Sequence, residues 1–174
     1  RFCLEHGLRI ISDEIHCDIL YKPYTHIPMA SLSLELSENT VTLIGPGKTF
    51  NMAGFSISTV CIASDALRKA YEEERRRIHF GDGAALSHVA FEAAYTHGAH
   101  WHRNMMEHLS RNVHLIEEWC SKNSVIRFRP PEATYLAWLD CRELGLGDRE
   151  LREFFVHKAG LGLSPGLSFG KEGS

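Results

Sequence analysis

Three short apolar runs rich in β-branched residues, 8–12, 40–44 and 58–63, are bounded by turn-forming residues. Runs of this length without polar alternation suit strands buried on both faces of a parallel or mixed sheet. Between the first two lie residues 21–39, which carry Pro23 and Pro28 and leave room for a short helix at 32–37. Ser64 precedes Asp65-Ala66-Leu67-Arg68, the position of an N-cap for a helix running to about Arg77. Gly81-Asp82-Gly83 breaks the pattern, and helices are predicted over 85–97 and 99–121. After Asn123 the texture changes. Residues 125–129 and 135–139 predict strands on either side of Pro130-Pro131-Glu132-Ala133, and 148–159 predict a helix with Leu151, Phe154 and Phe155 on its apolar face. The order predicts an α/β domain with a central, mostly parallel sheet over residues 1–112. The strand–strand–helix tail over 113–174 predicts the beginning of a smaller α+β domain.

Composition narrows the function classes. With 174 residues, 44% of them hydrophobic, the chain can bury a core. A net charge of −3 supplies no attraction to nucleic acid or to an anionic membrane surface. The run Glu72-Glu73-Glu74-Arg75-Arg76-Arg77 sets acids four positions before arginines, a solvated helix face rather than a basic patch. No apolar stretch is long enough to span a bilayer, and no signal-peptide pattern opens the sequence. Five cysteines, odd in number and without a CxxC pair, predict a reducing, cytoplasmic setting. Residues 1–7 read as the tail of a helix closed by Gly7, residues 171–174 end in a polar turn, and the chain has no initiator methionine. These ends predict an internal fragment of a longer protein.

The candidate chemistry sits at the ends of the first two predicted strands. The first ends in Asp13, and the second runs into Gly45-Pro46-Gly47-Lys48-Thr49. Strand ends of open α/β sheets are where ligands collect. An acid that can hold a pyridinium nitrogen and a lysine that can condense with an aldehyde together point to pyridoxal phosphate, PLP. The blander readings are an aspartate that caps a turn and a surface lysine in a glycine-rich loop. A P-loop competes for Gly47-Lys48-Thr49, but it needs glycine where Thr42 stands inside the strand. His97, His100 and His102 suggest a metal, yet Gly98 interrupts their helix and no carboxylate or cysteine completes a ligand set. No metal site is predicted.

Ser12-Asp13-Glu14-Ile15-His16 followed 35 residues later by the Lys48 turn resembles the fold-type I PLP enzymes. The branch it is most similar to is the cystathionine β-lyase-like aminotransferases, the MalY/PatB group. Ala93 to Trp101, Glu132 to Asp140, and Ser164-Pro165-Gly166-Leu167-Ser168-Phe169-Gly170 resemble further segments of that group, in order. The resemblance implies that Lys48 is the catalytic lysine and binds PLP, and that Asp13 holds the ring nitrogen. It places His16 beside the cofactor, where it either contacts it or packs next to it. Glu14 and Asp18 are left structural. The chain departs from the wider family where hydroxyl residues often precede the lysine, because Gly45 and Gly47 stand there. Ser56 also occupies the place of a phosphate-binding arginine.

The implied function is a PLP-dependent carbon–sulfur β-lyase acting on cystathionine or a related amino acid. The implied assembly is a homodimer, with the present residues inactive by themselves. An aminotransferase shares the same residues and stays open as an alternative. So does a regulatory binding protein on the same fold.

Overall fold

A computed structural model describes residues 1–173. Its elements run α1 (Phe2–Glu5), β1 (Ile10–Asp13), α2 (Leu34–Asn39), β2 (Thr40–Ile44), α3 (Pro46–Thr49) and β3 (Thr59–Ile62). Then come α4 (Asp65–Arg77), α5 (Ala85–His97), α6 (Ala99–Lys122), β4 (Arg127–Phe128), β5 (Leu139–Asp140) and α7 (Asp148–Glu153). Two compact units result: Arg1–Ser110 with Glu132–Tyr135, and Arg111–Pro131 with the chain from Leu136 onward.

In the first unit β2 is the central strand, parallel to β1 and antiparallel to β3. Its Thr, Val and Ile side chains favour the pleated, half-buried surface that a central strand offers. Asn39 fastens the far end of the sheet: it accepts from Arg9 Nη1 at 2.7 Å and donates to the Leu8 carbonyl at 2.7 Å. Ser33 caps α2 by accepting from Leu36 N–H at 3.1 Å, which starts this helix two residues later than the pattern predicts. Ser64 caps α4 at the predicted place, accepting from Leu67 N–H at 3.5 Å. The charge run on α4 pairs at a spacing of three, not four. Arg75 meets Glu72 at 3.3 Å and Arg77 meets Glu74, while Arg76 donates to the Glu72 carbonyl. No helix among the described residues is long and apolar enough to cross a membrane.

The second unit builds its core from Cys120, Ile126 and Phe155, with Ile116, Phe128, Leu139 and Leu151 packed around them. Its two predicted strands contract to the two-residue pair β4–β5. The following helix widens after Glu153 into a π-turn over Phe154–Lys158. Phe154 and Phe155 are neighbours about 100° apart on a helix, so they cannot share one buried face. Phe155 takes the core, and Phe154 stays 38% exposed.

Candidate active site

Because β1 and β2 are parallel, with Asp13 opposite Leu43, their carboxyl ends share one edge of the sheet. The antiparallel β3 begins at that same edge, with Thr59 opposite Ile44. Topology therefore sets Asp13 and the turn carrying Lys48 at the same edge of the sheet.

Lys48 is the third residue of α3, a helix of four residues whose first position is Pro46. Proline suits that position because its missing N–H is one that a helix start leaves unpaired. Gly45 precedes it in extended conformation, and a Cβ there would come within 3.1 Å of Ile57 O and Ser58 Cα. Glycine lets the turn lie directly on the approach to β3. Lys48 is half-buried and lines an open cleft of about 260 Å³ with Ile15, Gly47, Met52, Ala53, Ser56, Ile57 and Ser58. Among the described residues its side-chain nitrogen has no hydrogen-bond or ion-pair partner. A lysine so placed is within reach of a ligand in the cleft.

Asp13 lies at the end of β1, exposed, with Oδ1 accepting from Ile15 N–H at 3.3 Å. It is thus a turn residue, as the blander reading has it, but one bond occupies only one oxygen. Oδ2 has no partner among the described residues. His16 is half-buried and packs edge-on against Tyr135, ring centroids 5.8 Å apart. Asp13 and His16 bracket Ile15, which lines the cleft; neither lines it itself.

Ser56 adopts a left-handed conformation at φ 47°, and Asn51 does so at φ 54°. Non-glycine residues hold that conformation at an energetic cost and persist in it where the surroundings fix them. The hydroxyls of Ser56 and Ser58 have no partner among the described residues, so both can serve an anion in the cleft. No group of three or more His, Cys, Asp or Glu among the described residues is placed to hold a metal.

Sequence reasoning left Glu14 without a partner, and the structure supplies three. Its buried carboxylate accepts from Ser12 Oγ at 2.9 Å, His26 Nε2 at 2.7 Å and Met29 N–H at 3.0 Å. Burial pushes this carboxyl up, but His26, Met29 and Ser12 outweigh it and leave it below its ordinary 4.5. The network straps residues 26–29 onto the end of β1. A depressed carboxyl contributes stability that is present above the ordinary range and lost as pH falls through the lowered value. Unfolding curves taken across acidic pH should therefore show stability falling below about pH 4.5. Glu14→Gln should flatten that dependence and cost about 1–3 kcal/mol near neutrality, since buried donors lose a charged acceptor.

The whole chain, residues 1–174, matches the family model for aminotransferase class I and II. Cystathionine β-lyase PatB of Bacillus subtilis is 35% identical over 172 residues, covering 98% of this chain and 44% of the relative. The PLP-bound protein of Clostridium difficile 630 superposes with a TM-score of 0.93 at 41% identity, covering 99% of this chain and 45% of that one. Cystalysin of Treponema denticola, which contains pyridoxal 5'-phosphate, superposes with a TM-score of 0.92 at 29% identity, covering 98% and 44%. The chain spans less than half the length of the curated relatives it matches. With its strand-end lysine and aspartate set on one sheet edge, the chain belongs to the aminotransferase class I and II family and has the α/β fold of the fold-type I enzymes.

Proposed function

We propose that the whole protein is a PLP-dependent carbon–sulfur β-lyase acting on cystathionine or a related amino acid. The observation that carries this reading is Lys48, without a polar partner among the described residues, in a cleft on the sheet edge where β1 ends in Asp13. The donor set fits the cofactor's needs: an amine for an aldehyde, a carboxylate oxygen for a ring nitrogen, and serine hydroxyls for a phosphate. Similarity to the Bacillus cystathionine β-lyase supports the lyase over the aminotransferase.

When bound, PLP supplies an aldehyde and an electron-withdrawing ring that stabilises negative charge at the substrate Cα. Lys48 Nζ would hold the cofactor through its aldehyde. The same nitrogen would serve as the base that accepts the substrate Cα proton. The overall reaction would break the substrate Cβ–S bond, with its electron pair leaving on sulfur as a thiolate, and with water would give pyruvate and ammonia. Asp13, through Oδ2, would hold the ring nitrogen in its protonated form, which would favour charge build-up at Cα. His16, packed on Tyr135, would stand beside the cofactor. Ser56 and Ser58 serve the phosphate where the wider family uses other residues.

In this reading residues 1–112 belong to the large cofactor-binding domain, and 113–174 open the small one. The protein is a cytoplasmic homodimer. In support, all five cysteines are unpaired thiols. Ile78, Phe80, Leu86 and Val89 leave 56–75% of their surface exposed within a dozen residues, more apolar surface than solvent favours.

Incubating the whole protein with cystathionine tests the reaction type. Pyruvate release without an added keto acid is the expected result. Turnover that requires a keto acid as amino acceptor would instead make it an aminotransferase.

A further inference from the structure

Among the described residues Lys48 has no hydrogen bond or ion pair to fix it, and α3 is too short to hold itself by its backbone ladder. Something outside the turn must therefore set where the amine stands. The next residue, Thr49, is 2% exposed, and its Oγ1 donates to Asp18 Oδ2 at 2.9 Å. Successive helical residues diverge by about 100°, so Thr49 points inward while Lys48 faces the cleft.

Asp18 is itself anchored. Its backbone carbonyl accepts from His102 Nε2 at 2.8 Å, which requires the proton on that nitrogen. Ile19, the residue after it, is fully buried and bonded back to the His16 carbonyl at 3.0 Å. Asp18 thus belongs to the hydrogen-bonded turn that follows Asp13 and carries His16. On the other side of Thr49, Phe50 sits against Tyr95, Trp101 and His102 at centroid distances of 5.3, 6.2 and 6.3 Å. A Cβ on Gly98 would lie 2.5 Å from the Phe50 ring, so only glycine permits this approach. Burial, and then the Asp18 charge, push the Tyr95 phenol up, consistent with the carboxylate lying in this interior cluster.

We propose that Asp18 and Thr49 are a positioning pair for the catalytic lysine: their hydrogen bond ties the turn carrying Lys48 to the turn carrying Asp13 and His16. The proposal rests on the reading of Lys48 as the PLP-binding lysine. Neither residue touches the reacting atoms. The bond fixes the distance between the two groups that must act on one cofactor, and small misplacements of reacting groups are costly.

The test uses the whole protein, as apoenzyme and as holoenzyme, with Thr49→Val, Thr49→Ser, Asp18→Ala and the Asp18→Ala/Thr49→Val double variant. Thr49→Val should lower kcat by about tenfold or more while KM stays within about twofold. It should also slow the incorporation of PLP into apoenzyme, read from absorbance, by a similar factor. Thr49→Ser should restore both. The double variant should be no worse than the worse single one, because a severed pair can be severed only once. Wild-type kcat and incorporation rate in Thr49→Val, or losses that multiply in the double variant, would overturn the pairing. Should Thr49→Val not fold, the serine and Asp18→Ala variants decide: near-wild-type Thr49→Ser with slow Asp18→Ala supports the pair, and wild-type rates in both overturn it. Borohydride trapping on the wild-type protein separates the two levels. A label on Lys48 with unaffected variants refutes the pairing alone; a label on another lysine refutes the PLP assignment and the pairing with it.

Discussion

In the whole protein, Lys48→Ala should abolish turnover, with a loss of at least about three orders of magnitude, because on the proposed reading it removes both the nucleophile and the proton acceptor. The fold should hardly notice. Lys48 makes no hydrogen bond or ion pair among the described residues, so truncation leaves no buried partner unsatisfied. Its effect on stability should stay within about 1 kcal/mol. Lys48→Arg separates the roles further. A guanidinium retains charge and length but neither condenses with an aldehyde nor gives up a proton near neutral pH. It should be as inactive as alanine. Steady-state kinetics alongside thermal unfolding checks both halves, and an active, stable alanine variant would remove Lys48 from the chemistry.

Asp13→Asn should keep most of the cofactor and lose roughly a hundredfold or more in kcat. The amide oxygen can still accept from Ile15 N–H, the bond that Oδ1 makes now at 3.3 Å, so the turn should survive. What would disappear, on the proposed reading, is the charge that favours a protonated ring nitrogen. That charge matters most as the carbanion develops, so the loss should fall on kcat rather than on cofactor content. Absorbance of bound PLP together with kcat measures the two separately. Unchanged turnover would leave Asp13 as the turn residue its hydrogen bond also makes it.

Local pattern carried much of this fold. β2 occupies the predicted span because five consecutive residues favour a buried strand, and the Ser64 cap marks the start of α4 in the sequence itself. Asp13 and Lys48 were legible as candidates for a related reason: Asp13 closes one apolar run, and Lys48 stands in the glycine-rich turn that follows another. What was not legible depends on long-range partners. The predicted strand over 135–139 loses its first part because residues 132–135 join the first unit instead. Ala133 bridges to Leu20, Thr134 N–H donates to Ile19 O at 2.8 Å, and Tyr21 donates to the Thr134 carbonyl. No local propensity encodes a pairing across more than a hundred residues. Glu14 with His26, and Asp18 with Thr49, escaped notice likewise. The acids were visible, but the partners that bury and hold them lie 12 and 31 residues away.

The central claim is that Lys48 is the residue to which PLP attaches, and borohydride reduction of the PLP-loaded whole protein, followed by peptide mapping, tests it most directly. Reduction makes the lysine–cofactor bond permanent, so the map reads the attachment site without relying on activity. The pyridoxyl group should be found on the peptide carrying Lys48 and be absent from the Lys48→Arg variant. A pyridoxyl group on Lys22 or Lys69, or one that persists in Lys48→Arg, would contradict the assignment.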